Sequence, residues 1–328
     1  MALRVALPPR LVAPFVRGLF GWAFQPQPDW VRVRRRLEAV TAWPGAPRGI
    51  RVEHTTLGGV HAERLTPQHV DPQVTLLYLH GGGYTVGSAR THRGVAARLA
   101  AAMRATAYVL DYRLAPEHPC PAAAEDSVAA YRELLDRGIP AQRIAVAGDS
   151  AGGGLSLVVG ITAVLEQLPV PGVLGLICPG VDGSPDALGA LPDVAKDAVL
   201  TKAMVTSFMT AYLDALDPDL PVTVVSPLHA DLAGLPPLVI DTGADDLIVG
   251  QARDLVAKAR AAGVEVHYRE HPGLWHVFHA LVGILPQADR AVDDLAAQLA
   301  RRVNPHLLGP SRAGTPFHRL SATGRRVS

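Results

Sequence analysis

Ser150 stands at the centre of Gly148-Asp149-Ser150-Ala151-Gly152, a Gly-x-Ser-x-Gly pentapeptide whose flanks give it meaning. Before it, Arg143-Ile144-Ala145-Val146-Ala147 has the short apolar character of a buried strand. After it, residues 155–165 are apolar and long enough for a helix. A serine on such a strand-to-helix turn is pushed out of the sheet with its hydroxyl exposed, and the flanking glycines relieve the crowding. The helix that starts there turns its free amides toward any negative charge that develops nearby. This is the setting of a nucleophile. The competing reading is a tight turn without chemistry, since glycine-rich chains produce the pentapeptide by chance.

A second motif lies upstream. The strand-like run Val74-Thr75-Leu76-Leu77-Tyr78-Leu79 ends in His80-Gly81-Gly82-Gly83-Tyr84. Three successive glycines let backbone approach a substrate closely and turn amides inward. Acyl transfer needs two or three such donors aimed at the oxyanion of a tetrahedral intermediate, and losing one typically costs about 3 kcal/mol. The expected donors are the amides of Gly81 and Gly82, joined by that of Ala151. A flexible glycine hinge is the bland alternative.

Taken together, these motifs resemble the hormone-sensitive-lipase-like branch of the α/β-hydrolases, the family IV carboxylesterases. The resemblance rests on His80-Gly81-Gly82-Gly83, on Asp111-Tyr112-Arg113-Leu114-Ala115-Pro116-Glu117-His118-Pro119 and on Gly148-Asp149-Ser150-Ala151-Gly152-Gly153. Ser226-Pro227-Leu228, Leu235-Pro236-Pro237 and Pro272-Gly273 ahead of His276 follow in the expected order, so that residues 72–300 are covered.

A serine nucleophile needs a base and a group that orients the base, and in this fold the chain order is serine, acid, histidine. Glu265-Val266-His267-Tyr268-Arg269-Glu270 alternates like a last strand, and the loop beyond it holds His271, His276 and His279. The resemblance of Pro272-Gly273-Leu274-Trp275-His276-Val277-Phe278 to the family's Pro-Gly-x-x-His-Gly-Phe loop implies His276 as the base. His279 then reads as a helix-surface residue and His271 as a strand end.

The acid stays open between neighbours. Leu238-Val239-Ile240-Asp241-Thr242-Gly243 is a buried-strand pattern, followed by Ala244-Asp245-Asp246-Leu247. The family's Asp-x-Leu-x-Asp survives only in part: Asp245 has Leu247 two residues on, Asp246 has Ile248, and the second acid falls on Val249 or Gly250. Counting from Leu235-Pro236-Pro237, or back from Pro272-Gly273 and His276, favours Asp246. Asp245 would then cap the following helix. Asp241, inside the strand, is the weaker third candidate.

These residues require elements to position them. From about 74 to 300 strand and helix patterns alternate, which predicts an α/β fold, a mostly parallel central sheet with helices on both faces. Residues 50–56 and 60–65 read as two leading strands meeting at Gly58-Gly59. The expected organisation is an N-terminal cap segment over 1–45, a catalytic domain over 46–303 with a cap insertion at about 183–225, and a disordered tail over 304–328. Leu200, Met204, Phe208 and Tyr212 recur at helical spacing and read as core packing. Trp275 reads as site wall or core, and Arg113 and Glu117 as braces for the glycine loop.

Composition bounds the rest. A net charge of +1 gives no sign of a nucleic-acid surface, and 48% apolar residues suffice for a large core. Cys120 and Cys178 form no disulfide framework, so a reduced, cytoplasmic protein is expected. No apolar run is long enough for a membrane span. Residues 1–22 are apolar with Arg4, Arg10 and Arg17 interspersed, and prolines break any signal-peptide core. That stretch reads as a lid element, with contact to a membrane surface as the alternative. Neither a metal nor an organic cofactor is expected, since no His-Glu-x-x-His occurs. The leading function is hydrolysis of small- to medium-chain esters or lactones. An amidase or deacetylase with the same chemistry, or a non-catalytic receptor on the same fold, are the other readings. A homodimer is implied by the resemblance alone.

Overall fold

Helices α1 (Pro9–Ala23) and α2 (Trp30–Thr41) precede a hairpin of strands β1 (Ile50–Leu57) and β2 (Val60–Pro67) in the computed structural model. It describes residues 8–24, 28–41, 48–193, 196–214, 216, 217 and 219–308. The hairpin turns at Gly58 and Gly59, whose φ values of 62° and 77° belong to the left-handed region that glycine enters without penalty. Then follow β3 (Thr75–Leu79), α3 (Ala89–Met103), β4 (Thr106–Leu110), α4 (Ala122–Asp136), β5 (Ile144–Asp149), α5 (Ala151–Leu165) and β6 (Val173–Ile177). Three short helices break the rhythm after β6: α6 (Pro185–Gly189), α7 (Lys202–Tyr212) and α8 (Val222–Val225). It resumes with β7 (Leu238–Gly243), α9 (Val249–Ala261), β8 (Val266–His271) and α10 (Pro286–Val303).

The eight strands form one sheet in the order β1-β2-β4-β3-β5-β6-β7-β8. Pairings of β2 with β1 and with β4 are antiparallel; the others are parallel. From β3 the chain moves outward to β4, then returns to place β5 on the other side of β3. The crevice beyond the carboxyl ends of such a reversal is where open α/β sheets bind ligands. Leu79 pairs with Gly148 there, so the glycine loop and the Ser150 turn leave the sheet side by side.

Strand parity sorts the core into two layers. Leu77, Leu79, Val146, Leu174, Leu176, Leu238 and Ile240 point to one face and pack on α4, α5 and α9 through residues such as Tyr131, Leu157 and Leu255. Leu76, Tyr78, Ala145, Ala147, Val173 and Ile177 point to the other and pack on α3 and α10 through Leu99, Leu295 and Leu299.

Helix α5 begins at Ala151, directly after the Ser150 turn and ahead of the apolar run at 155–165. Gly152, Gly153 and Gly154 are poor helix formers, each about 1 kcal/mol worse than alanine. Tertiary packing overrides that preference. A Cβ at Gly152 would lie 1.9 Å from the Leu79 carbonyl oxygen, and one at Gly154 would lie 2.3 Å from that of Gly180.

The two irregular segments lie over the carboxyl edge of the sheet. Val12 and Val16 of α1 pack on Leu274, Trp275 and Phe278, which makes Trp275 a core residue. Leu191, Leu200 and Phe208 from the insertion join Leu247 and Ile248, with Phe24 and Trp30 against them. Tyr212 is fully buried and stacks on Tyr84 at 3.8 Å between centroids. Cys120 and Cys178 are both free and buried. Pro305–Leu308 forms a short 3-10 turn, and the expected disorder of the tail falls from 309 onward outside the described residues, as does the arginine at position 4. Among the described residues no helix is long and apolar enough to cross a membrane.

Candidate active site

Strand β5 ends at Asp149, and the next residue, Ser150, takes φ 52° and ψ −120°. A non-glycine residue held there stores roughly 1–3 kcal/mol of strain, tolerated only where surrounding contacts enforce it. Here the Ser150 amide donates to the Ile177 carbonyl at 2.8 Å, and the Ser150 carbonyl accepts from Gly180 at 2.9 Å and Gly154 at 3.2 Å. The hydroxyl is left at the crevice, at the start of α5.

His276 reaches it from the loop after β8. Its Nε2 lies 2.9 Å from Ser150 Oγ, and its Nδ1 lies 3.0 Å from Asp246 Oδ1. Asp246 Oδ1 also accepts the Ile248 amide at 2.9 Å, which fixes the carboxylate toward the ring. Of the two neighbouring aspartates, Asp246 is the one in contact with the His276 ring. Asp245 is half-buried and does not reach His276, nor does it cap α9, whose N-cap position is Ile248 without a side-chain bond. Asp241 projects from β7 toward His271 and His279 instead. His279 is not on a helix surface: it is fully buried, because its ring donates into Asp241 at 2.7 Å.

Electrostatics suit a base. Burial alone would lower the His276 pKa, but the charge and hydrogen bond of Asp246, aided by Asp197 and Asp149, raise it above its ordinary 6.5. Cys178 Sγ lies within 4.8 Å of the Asp246 carboxylate and the His276 ring, and burial followed by the Asp246 charge pushes its thiol up. It therefore stays a neutral thiol beside the pair.

The glycine loop is braced from below by Asp149. A Cβ at Gly81 would sit 2.2 Å from Asp149 Oδ2, so only glycine fits. Burial by itself would raise the Asp149 carboxyl; His92 at 3.3 Å and the Tyr78 hydroxyl at 2.8 Å more than offset it and hold it at about 2. His80 is pushed down to about 3, first by burial and then by His92. Neutral at physiological pH, it packs against Tyr112 at 4.2 Å. The Tyr112 hydroxyl donates to the His80 carbonyl at 2.7 Å, and the Ala115 amide donates to the Tyr84 carbonyl at 2.9 Å.

These bonds correct the expectation for Arg113, which pairs with Asp126 and Glu125 of α4 rather than with the loop. Glu117 acts through Arg34 of α2, whose guanidinium also donates to the carbonyls of Thr85 and Ala115, each at 2.7 Å. No acceptor among the described residues takes the amide hydrogens of Gly81, Gly82 or Ala151.

Asp197, from the insertion, carries no signal in the sequence beyond being an acid in an irregular stretch. Its buried carboxylate accepts the amides of Val199 at 2.8 Å, Leu247 at 2.8 Å and His276 at 3.4 Å. It thus ties the acid and base loops to the insertion.

Ser150 opens onto an apolar cavity of about 60 Å³, walled in part by Leu200, Val205, Phe208 and Met209. Leu200 and Phe208 therefore face this cavity as well as the core, because the turn before α7 and the helix itself lie directly over the crevice.

A family model described as an alpha/beta hydrolase fold matches residues 76–280. The chain belongs to that family. Among curated relatives, an acetyl-hydrolase of Streptomyces hygroscopicus is 39% identical over 260 residues, spanning 78% of this chain and 83% of its own. A carboxylesterase of Mycobacterium tuberculosis is 32% identical over 295 residues, 84% of this chain and 91% of its own. Among solved structures, an esterase of the bacterial hormone-sensitive lipase family superposes with a TM-score of 0.82 at 33% identity, covering 91% of this chain and all of that one. This alpha/beta hydrolase is hormone-sensitive-lipase-like.

Proposed function

We propose that the chain is a serine carboxylesterase for short-chain esters, with Ser150 as nucleophile, His276 as base and acid, and Asp246 as the group that orients His276. That it is a carboxylic-ester hydrolase follows from its family and relatives. The observation that carries the finer reading is the chain of contacts from Asp246 through His276 to Ser150 Oγ, at 3.0 and 2.9 Å.

In this account His276 takes the Ser150 proton as Oγ attacks the ester carbonyl. The developing oxyanion is held by the amides of Gly81, Gly82 and Ala151, in a loop that Asp149 and Tyr112 keep rigid, so no reorganisation is needed as charge builds. His276 then protonates the leaving alcohol and later activates the water that releases the acid. Asp246 stabilises the imidazolium formed in between. Helices α1 and α2 and the described residues of 183–225 serve as a cap that excludes water and walls the acyl pocket.

Cavity size argues for small acyl groups. The side chains of Leu200, Val205, Phe208 and Met209 close in on the space beside Ser150. A short acyl group meets few of them, whereas a long chain has to pass Phe208 and Met209. The naming of a relative as an acetyl-hydrolase supports the same direction. Hydrolysis of p-nitrophenyl esters from acetate to palmitate should peak at two to four carbons and fall by about 100-fold or more in kcat/KM by ten. A peak at palmitate would overturn the short-chain reading, and faster cleavage of a matched acetanilide than of the ester would favour the amidase alternative.

A further inference from the structure

Three side chains that the ester chemistry does not use converge behind the His276 loop. Asp241 lies near the end of β7, His271 is the last residue of β8, and His279 sits in the 3-10 turn Phe278–Leu281. Asp241 Oδ1 is 2.8 Å from His271 Nε2 and 2.7 Å from His279 Nε2. Asp241 and His279 are buried, while His271 borders a surface cleft with Glu270, Gln287 and Arg290.

We propose that Asp241, His271 and His279 form a zinc site that clamps the loop carrying His276. Two imidazole nitrogens and one carboxylate oxygen are a zinc donor set, with three protein ligands and a fourth position left for water from the cleft. Hydrogen bonding accounts for only part of the cluster. His279 Nε2 bonds Asp241, and His271 Nε2 lies 2.8 Å from the same oxygen but poorly aligned with it, with no other partner although the atom is buried. A buried ring nitrogen so poorly paired keeps a desolvation cost that coordination would remove.

Distances are compatible. Zinc bonds of about 2.0–2.2 Å need ligand atoms a few tenths of an ångström further apart than they are here, a shift within the reach of side-chain rotation. The two histidines bracket His276, five residues before it and three after. Pinned to β7 through Asp241, both ends of the base-bearing loop would be fixed. The ion would thus position the base without touching substrate.

The test uses the full chain stripped of metal with a chelator, then titrated with zinc chloride by calorimetry. One zinc per chain is expected, with melting temperature rising by several degrees. His279→Gln and Asp241→Asn should each weaken binding by at least about 100-fold. A zinc-soaked crystal, which needs no variant, should show one anomalous peak at the zinc edge between the three side chains. Absence of stoichiometric binding in the wild type, or a peak elsewhere, would overturn the proposal and leave the cluster a hydrogen-bonded staple. Either result is independent of whether Ser150 is the nucleophile.

Discussion

Ser150→Ala should lower kcat on p-nitrophenyl acetate by about a million-fold, and His276→Ala by a similar factor. The double variant should be no worse than either alone, because nucleophile and base act as one unit: a hydroxyl without its base is not activated, and a base without its hydroxyl has nothing to deprotonate. Residual activity over water should persist in all three, supplied by the loop amides of Gly81 and Gly82. The measurement is steady-state kinetics on variants whose circular dichroism matches the wild type. Alanine at 150 keeps the strained backbone at φ 52° and removes only the hydroxyl, so the fold should survive. Multiplying losses in the double variant would contradict a shared mechanism.

Asp246→Asn should cost about 10⁴-fold in kcat, while Asp245→Asn should stay within about twofold of wild type. The contrast is large because the two residues are adjacent in sequence and opposite in role. Asp246 is buried and bonded to His276 Nδ1, whereas Asp245 does not reach the ring. The pH profile should move as well. His276 accepts a proton only when neutral, so activity falls as pH drops through its pKa. In the wild type that pKa is raised above 6.5, because Asp246 favours the imidazolium more than burial disfavours it. With asparagine, burial is less opposed, the pKa falls, and the acid limb should shift to lower pH. Equal losses at 245 and 246, or an acid limb that does not move, would contradict the assignment.

Much of the architecture was legible because its signals are local. Runs such as Leu76-Leu77-Tyr78-Leu79 and Ile144-Ala145-Val146 are apolar on both faces, as strands in a covered parallel sheet must be. The glycine loop and the Ser150 turn advertise themselves because their backbone geometry restricts residue type. Less visible was everything that depends on contacts across the sequence. The choice between Asp245 and Asp246 is a matter of which side chain the turn after β7 aims at a loop 30 residues away. Asp197 braces both acid and base loops from an insertion with no periodicity, and Arg34 ties α2 to the loops at Thr85 and Ala115. His279 follows an apolar stretch, and its burial makes sense only once Asp241 is seen beneath it. The three glycines that open α5 look like a loop when taken alone, and their place in a helix makes sense only once the backbone at Leu79 and Gly180 is packed against them.

Ser150 is expected to carry the covalent acyl group during turnover. The most direct measurement treats the protein with diethyl p-nitrophenyl phosphate, an ester analogue that traps activated serines, and maps the modified peptide by mass spectrometry. One diethylphosphoryl group per chain is expected, on the peptide containing Ser150, with esterase activity lost in proportion to labelling. A label on another residue, or full labelling of Ser150 with activity retained, would contradict it.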